Sequence, residues 1–122
     1  MLRLASATTS DIIGSRGTSW TYWDLRSNLT FGLGNHWLDY PDISVGDNFL
    51  YVSATEFIDP SQPPVGLLVM RIPLAQIQAS GPISIDYTDA SNSASAWLAH
   101  LSQRTGNAVF WAGHTSTSQM RI

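Results

Sequence analysis

The sequence predicts an all-β protein, and two observations carry this prediction. Only 12% of the 122 residues are charged, while 43% are hydrophobic and 11% are aromatic. Such a chain is globular and poor in the solvated charge that surface helices carry. Short apolar runs rich in β-branched and aromatic residues are separated by Gly, Pro, Asp and Asn, which is typical of strands joined by tight turns. A chain of 13.3 kDa is long enough for a single domain with its own core.

The centre of the chain contains four predicted strands. A hairpin is expected to turn at Gly46-Asp47, because Gly and Asp tolerate the positive φ angles of tight turns. The strand after this turn is apolar on consecutive positions from Phe49 to Val52, which indicates that both of its faces are covered. The predicted strands are Ile43 to Val45, Phe49 to Phe57, Leu67 to Ile72 (ended by Pro73) and Ile83 to Tyr87.

Two short segments have the composition of helices. They are residues 73–79, PLAQIQA, and residues 93–101, SASAWLAHL. Both are under three turns long, so we interpret them as turns or single helical loops.

The strand pattern returns sixty positions later. Without a gap, Trp37-Leu38 aligns with Trp97-Leu98, Gly46 with Gly106, Leu50 with Phe110, Tyr51 with Trp111 and Thr55 with Thr115. A strand is therefore expected from Ala108 to Ala112, after the turn Gly106-Asn107. Leu2-Arg3-Leu4 echoes Met70-Arg71-Ile72, and so does Met120-Arg121-Ile122. We predict one domain, 1–122, divided into the end of one four-stranded unit (1–36), a full unit (37–90) and the start of a third (91–122).

Four-stranded meanders that repeat every roughly 40 to 60 residues are typical of β-propeller blades. The stretches DYPDISVGDNFLYVSATEF and VFWAGHTSTSQMRI resemble successive blades of sialidase-like and related bacterial β-propellers. The Asp-box of sialidases is matched in its tail alone, by Gly17-Thr18-Ser19-Trp20, and Ser15 stands where the aspartate belongs. This departure argues against sialidase activity.

A segment of about two blades leaves flat apolar faces and strand edges open, which favours association. We expect a homo-oligomer assembled head to tail, and a ring trimer would hold about six blades. If Leu2–Leu4 and Met120–Ile122 are both third strands, each shared blade has one strand too many and one end must be displaced. The alternative is that the chain is a piece of a longer propeller.

The candidate catalytic residues are Asp39 and Asp42, which precede the innermost predicted strand. Resemblance to propeller glycosidases implies acid and base carboxylates at the channel mouth, as glycoside hydrolysis requires. The favoured alternative is turn chemistry, because Asp beside Pro commonly bonds to its own backbone.

The candidate ligand-binding residues are Trp20, Tyr22, Trp23 and His36, since exposed aromatic rings can stack on sugars. Trp37 and Trp97 share one repeat position and are expected to wedge between blades.

No metal site and no cofactor are predicted. His36, His100 and His114 lack the spacing of metal ligands. We interpret His114 as a hydrogen-bonded structural residue, and we place Glu56, the one glutamate, on the surface at a loop entry.

Charge and composition limit the partners and the compartment. A net charge of −3 with scattered arginines excludes a nucleic-acid surface. The absence of an apolar run of membrane-spanning length predicts no membrane partner, and the N-terminus lacks the apolar core of a signal peptide. The chain is therefore expected to be soluble; the sequon Asn28-Leu29-Thr30 would matter only if a parent protein is secreted.

The predicted function is structural self-assembly without an assignable catalytic activity, and carbohydrate is a further candidate partner. One alternative is a part of a propeller glycoside hydrolase or carbohydrate-binding protein with acidic residues at the channel mouth. A monomeric binding module is a third hypothesis.

Overall fold

A computed structural model of the chain describes residues 1–59, 61–88, 97–104 and 106–122. In these ranges the strands form three antiparallel sheets in which neighbouring strands are consecutive along the chain. The first sheet contains β1 (Leu2–Ser6) and β2 (Thr21–Leu25). The middle sheet contains β3 (Trp37–Val45), β4 (Phe49–Phe57), β5 (Gly66–Pro73) and β6 (Asp86–Tyr87). The last sheet contains β7 (Trp97–Leu101), β8 (Trp111–His114) and β9 (Met120–Arg121). The all-β prediction is confirmed.

Short helices connect some of the strands: α1 (Thr9–Ser15), α2 (Ser27–Thr30) and α3 (Leu74–Gln78). Helix α3 is the predicted single helical turn after Pro73. Helix α1 was not predicted from the sequence, although the residue before it, Thr8, is a recognisable helix cap. The Thr8 hydroxyl accepts a hydrogen bond from the backbone N–H of Asp11 at 3.1 Å, which caps the helix. The helix ends at Ser15, and the next residue, Arg16, has a left-handed φ of 55°.

The middle sheet is covered on both faces, as the apolar run from Phe49 predicted. One face contributes to a core shared with the first sheet, and the other face contributes to a core shared with the last sheet. The face toward the first sheet includes Leu50, Val52, Leu68, Met70 and Ile72. The face toward the last sheet includes Tyr51, Leu67 and Val69, which pack with Ala99 and Leu101. Consecutive residues of β4 and β5 are therefore buried, because alternate side chains enter different cores.

The first and last sheets each have one covered face. In the first sheet Leu2, Leu4, Trp23 and Leu25 pack toward the middle sheet, while Arg3, Ala5, Tyr22 and Asp24 are exposed. In the last sheet His100 and His114 are exposed, and so is Phe110, directly before β8. Within the described ranges, the three sheets thus form a stack with an open face at each end.

A left-handed residue interrupts the first strand of both the middle and the last sheet. In β3 it is Tyr40, with φ of 50°, and the pairing with β4 shifts between Asp39 and Asp42. In β7 it is Leu98, with φ of 48°, and the pairing with β8 shifts between Trp97 and His100. Both residues carry a side chain in a region that favours Gly, so the bend is imposed by the surrounding sheet.

These two bulges give an alignment of the hairpins that differs from the gapless one. Superposing Tyr40 on Leu98 matches the cross-strand pair Ile43 and Val52 with the pair Leu101 and Trp111. The offset is then 58 in the first strand and 59 in the second, rather than sixty. A shift of one residue exchanges the faces of a strand, so the corrected alignment matters. It places Ile43 and Leu101 on the same kind of face, each directed toward the preceding sheet.

The sequence similarity of Leu2-Arg3-Leu4 to Met70-Arg71-Ile72 does not correspond to equivalent positions in the sheets. Arg3 is exposed on the face of the first sheet that is turned away from the middle sheet. Arg71 lies on the opposite kind of face, toward the last sheet, where it lines a cleft with Trp111. In a stack that runs in one direction the two arginines therefore cannot occupy equivalent positions.

Residues 42–48 lie beside residues 101–104 and 106–107, and together they form a polar seam between the middle and last sheets. The backbone N–H of Leu101 donates to Asp42 Oδ2 at 2.9 Å, and the Ser44 hydroxyl donates to the carbonyl of Ser102 at 2.7 Å. Farther along, Gln103 Nε2 donates to the carbonyl of Ile43, Asp47 N to that of Gly106, and Asn48 Nδ2 to Asn107 Oδ1. The partners are 58 to 60 residues apart at every step, so the aligned turns are neighbours in space.

The contacts of the seam, rather than the turn geometry predicted from the sequence, explain why residue 46 is a glycine. The turn between β3 and β4 contains residues 46–48 rather than two residues, and Gly46 is not among the described glycines with positive φ. A Cβ on Gly46 would instead overlap the carbonyl oxygen of Gly106. Close approach of two backbones, and not a left-handed turn, requires the glycine.

Four element predictions need correction. The strand predicted from Ile43 to Val45 begins at Trp37. The segment from Ser93 to Leu101 is strand β7 from Trp97 onward, because residues 97–101 pair with β8. The strand expected from Ala108 begins at Trp111, and the strand expected from Ile83 is limited to Asp86–Tyr87. The remainder of the segment at Ser93 and the unit boundary at residue 90 lie outside the described residues.

Candidate functional site

The most distinctive polar pair of the described chain is His36 with Glu56. Glu56 lies in β4 opposite Leu38 and Gly66, and its side chain is 3% exposed. The His36 ring, directly before β3, contacts Glu56 Oε1 through Nδ1. A buried carboxyl group is costly unless it is hydrogen-bonded, and the imidazole meets this need. The surface position predicted for Glu56 was wrong, because both faces of β4 are covered as far as this residue.

An imidazole held through Nδ1 presents Nε2 to other partners, as catalytic and metal-binding histidines do. His36 is partly exposed, so its ring is accessible from outside. Within the described ranges, no group of three His, Cys, Asp or Glu side chains is arranged to hold a metal ion. The pair is therefore best described as a positioned imidazole at the rim of the middle sheet.

Three aromatic rings lie at the end of the middle sheet where His36 contacts Glu56. The ring centroids of Trp37 and Phe57 are 6.1 Å apart, and those of Tyr40 and Phe57 are 6.3 Å apart. Trp37 and Tyr40 are exposed, so in this chain Trp37 is not wedged between sheets as the sequence predicted. We call Trp37, Tyr40 and Phe57 the aromatic cluster. With His36 next to it in the chain, this cluster presents both stacking surfaces and a hydrogen-bonding ring.

The candidate catalytic residues Asp39 and Asp42 both bond to backbone amides. Asp39 Oδ1 accepts the N–H of Tyr40 at 2.8 Å, at the bulge of β3. Asp42 accepts the N–H of Ile43 through Oδ1 and that of Leu101 through Oδ2, each at 2.9 Å. The bonds from Tyr40 and Ile43 are local, like the turn chemistry expected of an Asp beside Pro. The bond from Leu101 to Asp42 joins the last sheet to the middle sheet.

The other candidate ligand-binding residues do not meet at one place. Trp23 is directed toward the core, and its Nε1 donates to the carbonyl of Gly81 at 2.8 Å. Tyr22, its neighbour in β2, is exposed on the opposite face beneath the guanidinium of Arg3. Trp20 lies beyond the start of β2 and donates to the carbonyl of Gly17.

The open face of the first sheet carries an ion pair. Arg3 Nε and Nη2 donate to the two carboxylate oxygens of Asp24 at 2.6 and 3.0 Å. These hydrogen bonds lower the pKa of the Asp24 carboxyl below its ordinary value and raise that of the guanidinium. A bidentate pair of this kind orients two charges on a surface.

A cleft of about 380 Å³ lies between the middle and last sheets. Its walls include Arg71, Asp86 and Tyr87 on one side and Asn107 and Trp111 on the other. Arg71 Nε donates to Asp86 Oδ2 at 2.9 Å. The sequence offered no signal for this cleft.

No protein-family model matches the chain, and neither a curated protein nor a solved structure is significantly similar to it. No helix in the described ranges is long and apolar enough to cross a membrane.

Proposed function

We propose that the chain is a self-assembling segment of a β-propeller, with a structural role and without a catalytic activity of its own. The observation that supports this best is the open face at each end of the stack. The middle sheet is covered on both sides, whereas the first and last sheets are covered on one. A flat sheet that leaves one face and one edge open is stabilised by another copy of the same chain.

Exposed apolar side chains around the last sheet support association. Phe110 is 60% exposed and Ile122 is 91% exposed, and Leu98 and Met120 are exposed as well. Apolar residues clustered on a surface are typical of protein interfaces. Their position at the open end of the stack makes this surface the natural contact for a second chain.

The direction of the stack supports a ring. The hairpins of the middle and last sheets follow each other with equivalent faces directed the same way, as the two bulges indicate. Contacts that repeat in one direction are heterologous, and they close into a ring when the rotation per chain allows it. Three chains would supply about six blades, within the range of roughly 4 to 8 for propellers.

Light scattering coupled to gel filtration tests the proposal. We expect a species of about three times the monomer mass of 13.3 kDa. A mass of one chain at every concentration would contradict self-assembly. Replacing Phe110 by Glu should shift the distribution toward the monomer, while the control Ile58→Glu, at an equally exposed site beyond the end of β4, should leave it unchanged.

A second candidate function is carbohydrate binding at the aromatic cluster. The exposed rings of Trp37 and Tyr40, next to the partly exposed imidazole of His36, favour it. A glycan array probed with the native chain and with Trp37→Ala would test it, with Trp20→Ala as the control. A panel of chromogenic glycosides tests the glycosidase alternative, which requires turnover that Asp42→Asn abolishes.

A further inference from the structure

We infer that a second copy of this chain docks its β7–β8 hairpin into the groove beside β1; this inference rests on the proposed self-assembly. The groove has a volume of about 370 Å³ and lies between the first and middle sheets. Its walls are mainly apolar and include Leu2 and Leu4 on β1, with Ile43 and Val52 on the middle sheet.

The groove exists because the first sheet is too narrow for the surface beneath it. Two strands of the first sheet lie over a middle sheet of four strands. On the uncovered part, Ile43 is 53% exposed and Val45 is 55% exposed. Both are apolar strand residues on the face that is directed toward the first sheet, so added strands at the free edge of β1 would bury them.

The occupant is identified by a contact that this chain already makes. Where the last sheet covers the middle sheet, Tyr51 and Leu101 belong to one buried cluster. By the bulge alignment Phe110 is the counterpart of Tyr51, since Ser102 and Phe110 are joined by the bond Ser102 N to Phe110 O at 2.7 Å. Leu101 is likewise the counterpart of Ile43. Phe110 of one copy therefore packs on Ile43 of the next, as Tyr51 packs with Leu101.

The cleft beside Trp111 is the other half of the same interface. When the β7–β8 hairpin of one copy enters the groove, β1 and β2 of the other copy extend the last sheet past β8. Among the described residues, strand β9 pairs with Gly113 and His114 of β8 alone, so it is short enough to be displaced. Its displacement would leave four strands in the shared blade, β7 and β8 of one copy with β1 and β2 of the other.

Charge complementarity supports the arrangement. The exposed face of the incoming β1–β2 pair carries Arg3 and Asp24, and the cleft wall that it covers carries Arg71 and Asp86. Each surface has one positive and one negative group. In the assembly Arg3 of one copy therefore faces Asp86 of the other, and Asp24 faces Arg71.

Single cysteines test this contact directly, because the native chain contains none. Ile43→Cys and Phe110→Cys are prepared as separate variants, both at positions more than half exposed, so both should fold. A short bis-maleimide is added to each variant alone and to their mixture. We expect covalent dimers in the mixture at several times the yield of either variant alone, since a head-to-tail contact joins unlike positions. Ile13→Cys, exposed on α1, mixed with Phe110→Cys is the control and should give the background yield.

The outcomes separate this inference from the proposed function. An assembled mass in light scattering, with no excess of dimers in the mixture, would overturn the inference and leave self-assembly standing. If one variant alone gives covalent dimers at the same yield as the mixture, the contact is isologous, and the inference is overturned. A monomeric native chain would overturn both.

Discussion

The carbonyl oxygen of Gly106 accepts the backbone N–H of Asp47 at 3.0 Å and occupies the space where a side chain on Gly46 would have to lie. This contact joins the turns of the middle and last sheets. Gly46→Ala should therefore force the turns apart and lower the free energy of unfolding by about 1–3 kcal/mol. Urea denaturation followed by tryptophan fluorescence measures the loss.

The matched control is Gly14→Ala in helix α1. A Cβ at Gly14 meets no atom within 4 Å, and the residue is helical. This change should be neutral or should raise the free energy of unfolding by about 0.5–1 kcal/mol. Equal effects of the two substitutions would contradict the close approach at Gly46.

Asp42 is expected to be a structural residue that connects two sheets. Asp42→Ala removes the acceptors of Ile43 N and Leu101 N and should cost about 1–3 kcal/mol of unfolding free energy. Asp42→Asn keeps one acceptor oxygen and should cost less. The comparison is Asp39→Ala, which removes a single local bond to Tyr40. If Asp39→Ala lowers the stability more than Asp42→Ala does in thermal and urea denaturation, Asp42 does not have this connecting role.

Removal of the His36 side chain should leave the Glu56 carboxyl group buried without its imidazole partner. His36→Ala is expected to lower the free energy of unfolding by about 3 kcal/mol, since breaking a buried pair leaves an uncompensated polar group. In the double variant His36→Ala/Glu56→Gln the buried group is neutral, so part of the stability should return. A double-mutant cycle in urea measures this coupling. Strict additivity would show that the two side chains do not interact.

The Arg3 and Asp24 pair should make stability depend on acid pH. Hydrogen bonds from Arg3 lower the pKa of the Asp24 carboxyl in the folded chain, so the folded state binds fewer protons than the unfolded state near that pH. The contribution is present above the ordinary aspartate pKa of about 3.9 and is lost as the pH falls through the lowered value.

The measurement compares urea midpoints of the native chain and Asp24→Asn from about pH 6 down to about pH 2, a range that brackets the carboxyl titration. We expect their difference to shrink toward the acid end. High salt at neutral pH should also reduce it, because the pair is exposed. A difference that stays constant across the range would exclude a contribution from the ion pair.

The sequence predicted the parts of the fold that depend on local pattern. Strand β4 matches its predicted bounds, Phe49–Phe57, because apolar side chains on both faces and a preceding turn define it. Strand β7 was interpreted as a turn or helical loop because Ala and Leu near Trp97 favour helices. Its pairing with β8 decided the conformation, and pairing between distant segments is not visible in a short window.

The candidate site was harder to predict for the same reason. Glu56 is the one glutamate and stands at the end of a strand, which suggested solvent. Its side chain is buried within the sheet, and its imidazole partner His36 comes from twenty residues earlier, directly before β3. The aromatic cluster likewise combines Trp37 and Tyr40 with Phe57 across two strands. Only the register between β3 and β4 brings these side chains together.

The double covering of the middle sheet determines which amide protons water can reach. Amides of β4, and those amides of β5 that bond to β4, lie between two cores inside the ladders of the middle sheet, whereas β5 pairs with β6 at Met70 and Arg71. They should exchange with deuterium slowest, at rates set by global unfolding. Amides of β9 and of the outer strand β6 should exchange first, and assembly should slow those of β1 in proportion to the occupancy of its edge.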